Sequence, residues 1–374
     1  MKRDIFWYKQ PAGVWIEALP LGNGRMGAMV YGDTREETIQ IDESSFWSGE
    51  RSEHNNRDDS YELMWKIRRA LLEEDYEEAD RLGHDFVGYK NQYGTNMPVG
   101  NLKLTVQNLE QEACEYERSL SLSEGIAKTS FTLGTAHFER KTFVSNPAQC
   151  AVVRMGSDEA FSLGIRYEGI GNGTCIQGEI SQTVQKAQWA APGDSDSDAS
   201  GALFRIAGEA RETLHSNGNC GAHLEGALLL KTDGCVRSFK NCVHVEGCRQ
   251  VILYIDLETD MFLQDPAALA CRRVLEAGKK GYECLKKEHI ADVKPLYERM
   301  SLSLGGEEKS ELPTDVRIEK VKAGEKDPDL YRMMFDFGRY LLIASSRPDS
   351  PLPTHMGGPC GDQSLGLYLP WMGL

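Results

Sequence analysis

Between Asn101 and Leu257 the chain breaks into short runs of alternating or β-branched character: NLKLTV, KTSFTL, FERKTFV, CAVVRM, FSLGIRY, GALLLKT and RQVILYIDL. Gly, Asn and Asp separate them. A period of two places the apolar residues of each run on one face of a strand, and the punctuating residues supply turns. So many short strands in succession predict a sandwich of two antiparallel sheets rather than a parallel sheet.

The period changes on either side of this region. Leu63, Ile67, Ala70 and Leu71 follow a helical repeat that Ala79, Leu82 and Phe86 resume, which predicts one inserted helix near residues 61 to 82. Its other face, with Glu73, Glu74, Asp75, Glu77, Glu78 and Asp80, reads as a solvated surface. Downstream, Asp265 and Pro266 form a helix start, and Gly281 and Pro295 punctuate the helical segment that follows. A polar connector beginning SLSLGG is expected to hold one short strand, and PDLYRMMFDFGRYLLIASS a buried helix ending before Pro348. The expected organisation is a mainly β domain over residues 1 to 262, a helical linker and connector over 263 to 325, and the start of a further helical domain from 326 to 374.

Near the N-terminus, LPLGNGRMGAMVYG contains Gly22, Gly24 and Gly27 at the spacing of a dinucleotide-binding loop. That loop needs a buried strand before the first glycine and a helix after the last. Pro20 stands where the strand should end, and AMVYG is too short for a helix before the charged DTREE. Met29 occupies the position where a kinase glycine loop carries Val. The glycines therefore read as turn and close-approach residues. In APGDSDSDASG, Asp194, Asp196 and Asp198 imitate the opening of a calcium loop, but Ala199 and Arg205 fall where Gly and Glu are needed.

A net charge of −15 disfavours nucleic acid as a partner and suits a neutral ligand such as a sugar. No apolar run approaches the ~18 residues that a membrane span requires. The start, MKRDIFWYKQ, has no apolar core of a signal peptide. The ten cysteines are scattered without a C-x-x-C pair, which predicts free thiols and a cytoplasmic protein. The eight histidines form no HExxH pair, so hydrolytic metal chemistry is unsupported and no metal is expected.

The segment WYKQPAGVWIEALPLGNGRMGAMVYGDTREETIQIDESSFWSG resembles the N-terminal signature of glycoside hydrolase family 95, the inverting α-L-fucosidases. RALLEEDYEEADRL, NMPVGNLKL, FERKTFVSNPAQCAVVR, LKKEHIADVKPLYERMSLSLG, LPTDVRI and FGRYLLIASSRPDSPLP continue the similarity in collinear order. The resemblance implies a β-sandwich (a supersandwich) with an inserted helix, a helical linker and the first helix of a truncated (α/α)6 barrel. It also implies cofactor-free hydrolysis of terminal α-L-fucosyl, or α-L-galactosyl, residues of a fucosylated oligosaccharide.

In that family a Glu acid and an Asp-assisted Asn base lie in the barrel, C-terminal to the SSRP motif. Past SSRPDSPLPTHMGG this chain departs from the family pattern, reading PCGDQSLGLYLPWMGL as a truncated or frameshifted continuation would. No catalytic residue is therefore assigned within the chain, His355 included. The matched positions with the most chemistry are Asn23, Arg25, Glu43 and Trp47, read as substrate-rim or inter-domain candidates. Against that stand plainer roles: Arg25 pairing with a carboxylate, Asn23 holding a turn, and Trp15 and Trp47 filling core. A helix carrying Leu330, Met333, Met334, Phe337, Leu341 and Leu342 is expected to expose an apolar face. The alternative to an enzyme portion is a non-catalytic carbohydrate-binding or structural β-sandwich module.

Overall fold

A computed structural model describes residues 4–50, 57–86, 94–107, 111–169, 200–213, 216–219, 221–239, 242–306 and 309–350. The mimic of a calcium loop, His355, the tail, and Cys175, Cys220 and Cys360 lie outside these residues.

The N-terminal region is a single curled array of 13 antiparallel strands. Its spine is a pair of long strands, β9 (Cys150–Gly169) and β13 (Cys242–Thr259), hydrogen-bonded to one another. Each changes its other partner halfway along. The first half of β9 pairs with β8 (Ala136–Ser145) and its second half with β5 (Gly100–Gln107). Likewise β13 pairs with β12 (Cys235–Phe239) and then with β11 (His223–Thr232). Register shifts between Val245, Cys248 and Gln250 mark the corner, as bulges do where a strand bends.

Two sheets result. The first runs from β1 (Ile5–Tyr8) through β6 (Ala113–Ser121), β7 (Ile126–Leu133) and β8 to the spine, then to β11 and β10 (Ser200–Glu209). The second contains β2 (Leu19–Gly22), β3 (Met26–Val30), β4 (Glu36–Glu43) and β5 before it reaches the spine and β12. Their inner faces interdigitate: Leu21, Ile41 and Leu102 of the second meet Leu120, Phe131, Phe138 and Leu253 of the first in one buried cluster.

The outer face of the first sheet is covered as well. There Val152, Leu229 and Tyr254 pack on Ala270, Val274 and Ala277 of α3 (Pro266–Lys280) and on Leu285 of α4 (Tyr282–Tyr297). This explains the two sequence textures. β5 alternates strictly between buried and half-buried residues, whereas β11 is buried almost throughout because helices cover its second face. Asp265 caps α3 by accepting the Ala268 N–H at 3.0 Å, with Pro266 in the first turn.

Several expectations need correction. The inserted helix is two helices, α1 (Ser60–Leu72) and α2 (Tyr76–Phe86); Glu74, at φ 59°, breaks them apart in the left-handed region. CAVVRM and FSLGIRY are two halves of one strand, β9. The connector, expected to hold one short strand, holds none among its described residues and instead a helix, α5 (Thr314–Lys322). Its β-branched VRI run is overridden by tertiary contacts: Arg317, buried, holds Asp327 and Asp329 at 2.9 Å each. α5 also docks on β1, where the Trp7 N–H meets Thr314 Oγ1 at 3.1 Å and the Trp7 indole donates to Ser310 O at 3.0 Å.

The expected apolar face of α6 (Pro328–Ser345) is largely covered by the sandwich. Leu330, Met333 and Leu341 are buried, Phe337 lies edge-on to Phe6 at 5.1 Å, and Tyr340 donates to Pro20 O at 2.7 Å. Met334 and Leu342 remain exposed, at 44% and 59%. Trp15 is half-buried in a small satellite cluster with Ala18 and Met29 rather than in the main core.

Candidate functional site

The β2–β3 hairpin turns through Asn23, Gly24 and Arg25. Asn23 closes it from inside: Oδ1 accepts the N–H groups of Arg25 and Met26 at 3.1 and 2.8 Å, the self-bonding that suits Asn to turns. Its amide donates to Ser145 O at 3.0 Å, so the whole side chain is engaged within the protein.

The next residue, Arg25, reaches across to the end of β13. Its guanidinium meets Asp256 at 2.5 Å, Glu258 at 3.1 Å and Glu43 at 3.9 Å, and donates to the carbonyls of Leu257 and Gln149. Nε completes the set on Gln149 Oε1 at 3.1 Å. A second guanidinium, Arg273 of α3, lies 3.3 Å from Asp256 and also bonds Glu258. Burial raises the Asp256 carboxyl above its usual range, and the two arginines pull against that shift. Glu43 is raised for the same reason, opposed by Arg25 and by Ser45, whose N–H and hydroxyl donate at 2.8 and 2.6 Å. The hydroxyls of Ser45 and Thr259 lie 2.5 Å apart and join the two strand ends.

The structure thus brings Asn23, Arg25 and Glu43 into one buried seam. Trp47 lies at its edge, half-buried, with a backbone bridge to Asn96 and a carbonyl that accepts Ala222 N–H at 2.8 Å. Sequence reasoning missed Asp256, Glu258 and Arg273. A signal for the acids was present: they continue, at period two, the face on which Ile252 and Tyr254 are buried. Charge on such a face needs a partner in the core.

Two further segments converge on the same turn. Asn146 and Gln149, in the β8–β9 loop, each donate to Asp349 at 3.2 Å, and Asn146 also donates to Asn23 O at 3.2 Å. Gly24 N–H donates to Ala344 O, at the end of α6, at 2.8 Å. Arg347 bonds Asp292 of α4. GNGR, SNPAQ and SSRPDS, distant in sequence, therefore meet in space. Asp256, Glu258 and Asp292 are held by guanidiniums and Asp349 by side-chain amides, and among the described residues no group of three His, Cys, Asp or Glu is disposed to hold a metal ion. Chemically, this is a buried network of ion pairs and hydrogen bonds that fixes the last turn of α6 against the sandwich.

The class of the fold is therefore a β-sandwich whose outer face carries helices and whose hairpin turn seats a further helix. Residues 6–262 match the glycosyl hydrolase family 65, N-terminal domain, and the chain belongs to that family. Residues 281–372 match the glycosyl hydrolase family 95 catalytic domain, so the resemblance to family 95 is borne out.

Among curated proteins, alpha-L-fucosidase 2 of Arabidopsis thaliana is 27% identical over 371 residues, 93% of this chain and 42% of that protein. Probable alpha-fucosidase A of Aspergillus oryzae is 25% identical over 365 residues, 91% of this chain and 47% of its own length. The homologous protein of Aspergillus niger is 25% identical over 363 residues, with 91% and 42% covered. The chain thus spans less than half the length of these relatives. Among solved structures, a putative kojibiose phosphorylase from human microbiome superposes with a TM-score of 0.47 at 10% identity, over 92% of this chain and 42% of that one.

Proposed function

We propose that the chain is the N-terminal portion of an inverting α-L-fucosidase-type glycoside hydrolase acting on terminal α-L-fucosyl residues of oligosaccharides, with α-L-galactosyl residues as the nearest analogues. The observation that carries this reading is the pair of collinear family matches, residues 6–262 and 281–372, joined in space where the Gly24 N–H meets Ala344 O and where Asn146 and Gln149 meet Asp349. Inversion needs an acid at the leaving oxygen and a base for water on the opposite face, roughly 6.5–9.5 Å apart. Arg25, Glu43 and Asp256 do not fit these roles, because they are paired with one another inside the protein. Asn23, Arg25 and Glu43 are positioning residues in this reading, which set the angle between sandwich and catalytic domain. Trp47, at the edge of the seam, is the candidate for the substrate rim. The acid and base come from the portion of the relatives that this chain does not span. The free state of the described cysteines supports a reducing, cytoplasmic setting.

The test is release of fucose from 2′-fucosyllactose, with the anomer first formed followed by NMR. The 374-residue chain alone should release nothing above background, and the same sandwich joined to a full family 95 catalytic domain should release fucose with inversion. Heat-sensitive release by the chain alone would place acid and base within it. Failure of the joined protein on every α-L-fucoside offered would overturn the fucosidase reading.

A further inference from the structure

The outer face of the first sheet has a second feature, where α3 and α4 leave it uncovered. Cross-strand register sets Glu139, Gly156 and Gln250 in one row across β8, β9 and β13. Gly156 has no side chain to fill the middle of that row, and a Cβ built on it would meet nothing nearer than Arg249 O at 3.6 Å. A hollow of about 470 Å³ opens there, within the size range of small-molecule sites.

The neighbouring row is electrostatically odd. Lys128, Lys141 and Arg154 stand directly opposite one another on β7, β8 and β9, and like charges in that relation destabilise a sheet. Glu139 neutralises part of the row, at 2.9 Å from Lys128 and 2.6 Å from Lys141. Arg154 has no carboxylate partner among the described residues. Its Nε donates to Gln250 Oε1 at 2.9 Å, and its guanidinium lies 5.1 Å from the centre of the Tyr282 ring. On the opposite rim Arg249 donates to the carbonyl of Asp158 at 2.9 Å; Asp233 accepts only its backbone N–H, at 3.0 Å. Two guanidiniums without carboxylate partners among the described residues thus flank a polar hollow in a chain whose net charge is −15. Local rules are broken in this way where function retains the residues.

We propose that this hollow binds a sugar ring carrying a single oxyanion, either a carboxylate or a sulfate ester. The oxyanion sits on Arg154 and Lys141, whose donors suit a planar or tetrahedral anion. The ring lies over Gly156, and its hydroxyls meet Gln250 and His137 on the walls. The hollow shares no residue with the seam at Arg25, and the inference does not rest on the fucosidase reading.

The test is a calorimetric or NMR titration of the 374-residue chain, at low salt, with glucuronic acid, galactose 6-sulfate and lactose. One or both anions should bind saturably, at least about tenfold more tightly than lactose, and salt should weaken the binding. The stronger of the two identifies the oxyanion. Arg154→Gln should reduce affinity about tenfold or more. Gly156→Val fills the hollow at a position with room for the side chain and should abolish binding without lowering the thermal unfolding midpoint. Arg237→Gln, on β12, should bind as the parent does. Absence of saturable binding by either anion, equal binding of lactose, or unchanged affinity in Arg154→Gln or Gly156→Val would overturn the proposal. Should Gly156→Val fold poorly, Lys141→Gln replaces it with the same expected loss.

Discussion

Gly22 and Ala344 touch through their backbones: a Cβ added to Gly22 would sit 2.5 Å from the Ala344 carbonyl oxygen. The same carbonyl accepts the Gly24 N–H at 2.8 Å, and Gly24 has φ +86°, which L side chains rarely adopt. Gly22 and Gly24 therefore serve close approach to a helix end rather than to a phosphate. Gly22→Ala should push the hairpin off α6 and destabilise the protein by about 1–3 kcal/mol, as overpacking does. Hydrogen exchange should rise at Leu341–Ser346 and in the β2–β3 turn, with the β8–β9 ladder unchanged. Unaltered exchange at α6 would show that the contact does not hold the helix.

Arg25 holds the other half of the seam. Arg25→Ala leaves Asp256, Glu258 and Glu43 with Arg273 as the nearest guanidinium, in a site where Asp256 and Glu43 are almost wholly buried. Removal of one partner from a buried charge network typically destabilises by about 3–5 kcal/mol, so the urea midpoint should fall sharply at constant m. Arg25→Lys should recover little, because a point charge cannot reproduce the fork that reaches Asp256, Gln149 and Leu257 together. Arg25→Ala with Asp256→Ala should lose less than the two single changes summed. Strict additivity would mean that the pair is not coupled.

The sandwich was legible because its strands have one of two patterns, strict alternation in β5 and continuous burial in β11, and both are visible in sequence. The break at Glu74 was not, since the apolar repeat continues through it from Leu71 to Ala79. The helix at Thr314–Lys322 is not legible in sequence because nothing local shows that Arg317 will find Asp327 and Asp329 at the start of the next helix. Family resemblance singled out Asn23, Arg25 and Glu43. Arg25's partners Asp256 and Glu258 lie more than two hundred residues away, and a long-range ion network has no period to betray it. The hollow over Gly156 emerges only once register aligns three strands.

Burial divides the cysteines. Cys150 and Cys248 are fully buried, and burial pushes both thiols up, Cys248 to about 11. Cys114, Cys235 and Cys284 are exposed free thiols. Because the thiolate is the reactive form, a disulfide reagent at pH 8 should modify the exposed three within minutes and leave Cys150 and Cys248 unmodified until the chain unfolds. In denaturant, protein purified without reductant should titrate for all ten. A stable count of eight or fewer would contradict the reducing setting, and early labelling of Cys150 would contradict the packing of the first sheet on α3.

His289 gives a pH dependence whose sign is fixed by its surroundings. It is buried on α4, stacked on Phe143 at 4.8 Å between ring centroids, with Nε2 3.2 Å from Gly125 O. That carbonyl is an acceptor, so Nε2 carries the proton and donates, and the neutral ring fits. Burial lowers its pKa from 6.5 to about 4. Between these two values the unfolded chain binds the proton and the folded one does not, so this residue's contribution is complete above pH 6.5 and diminishes as the pH falls. Below about pH 4 it is gone, a total of roughly 3 kcal/mol. His289→Phe should lose the bond to Gly125, about 1 kcal/mol at neutral pH, but its stability should fall less steeply from pH 6.5 to pH 4, so the two curves converge or cross. Urea midpoints at half-unit pH steps would measure this. Parallel curves for variant and parent across that window would mean that His289 is protonated in the fold, and that its ring is not packed against the first sheet as described.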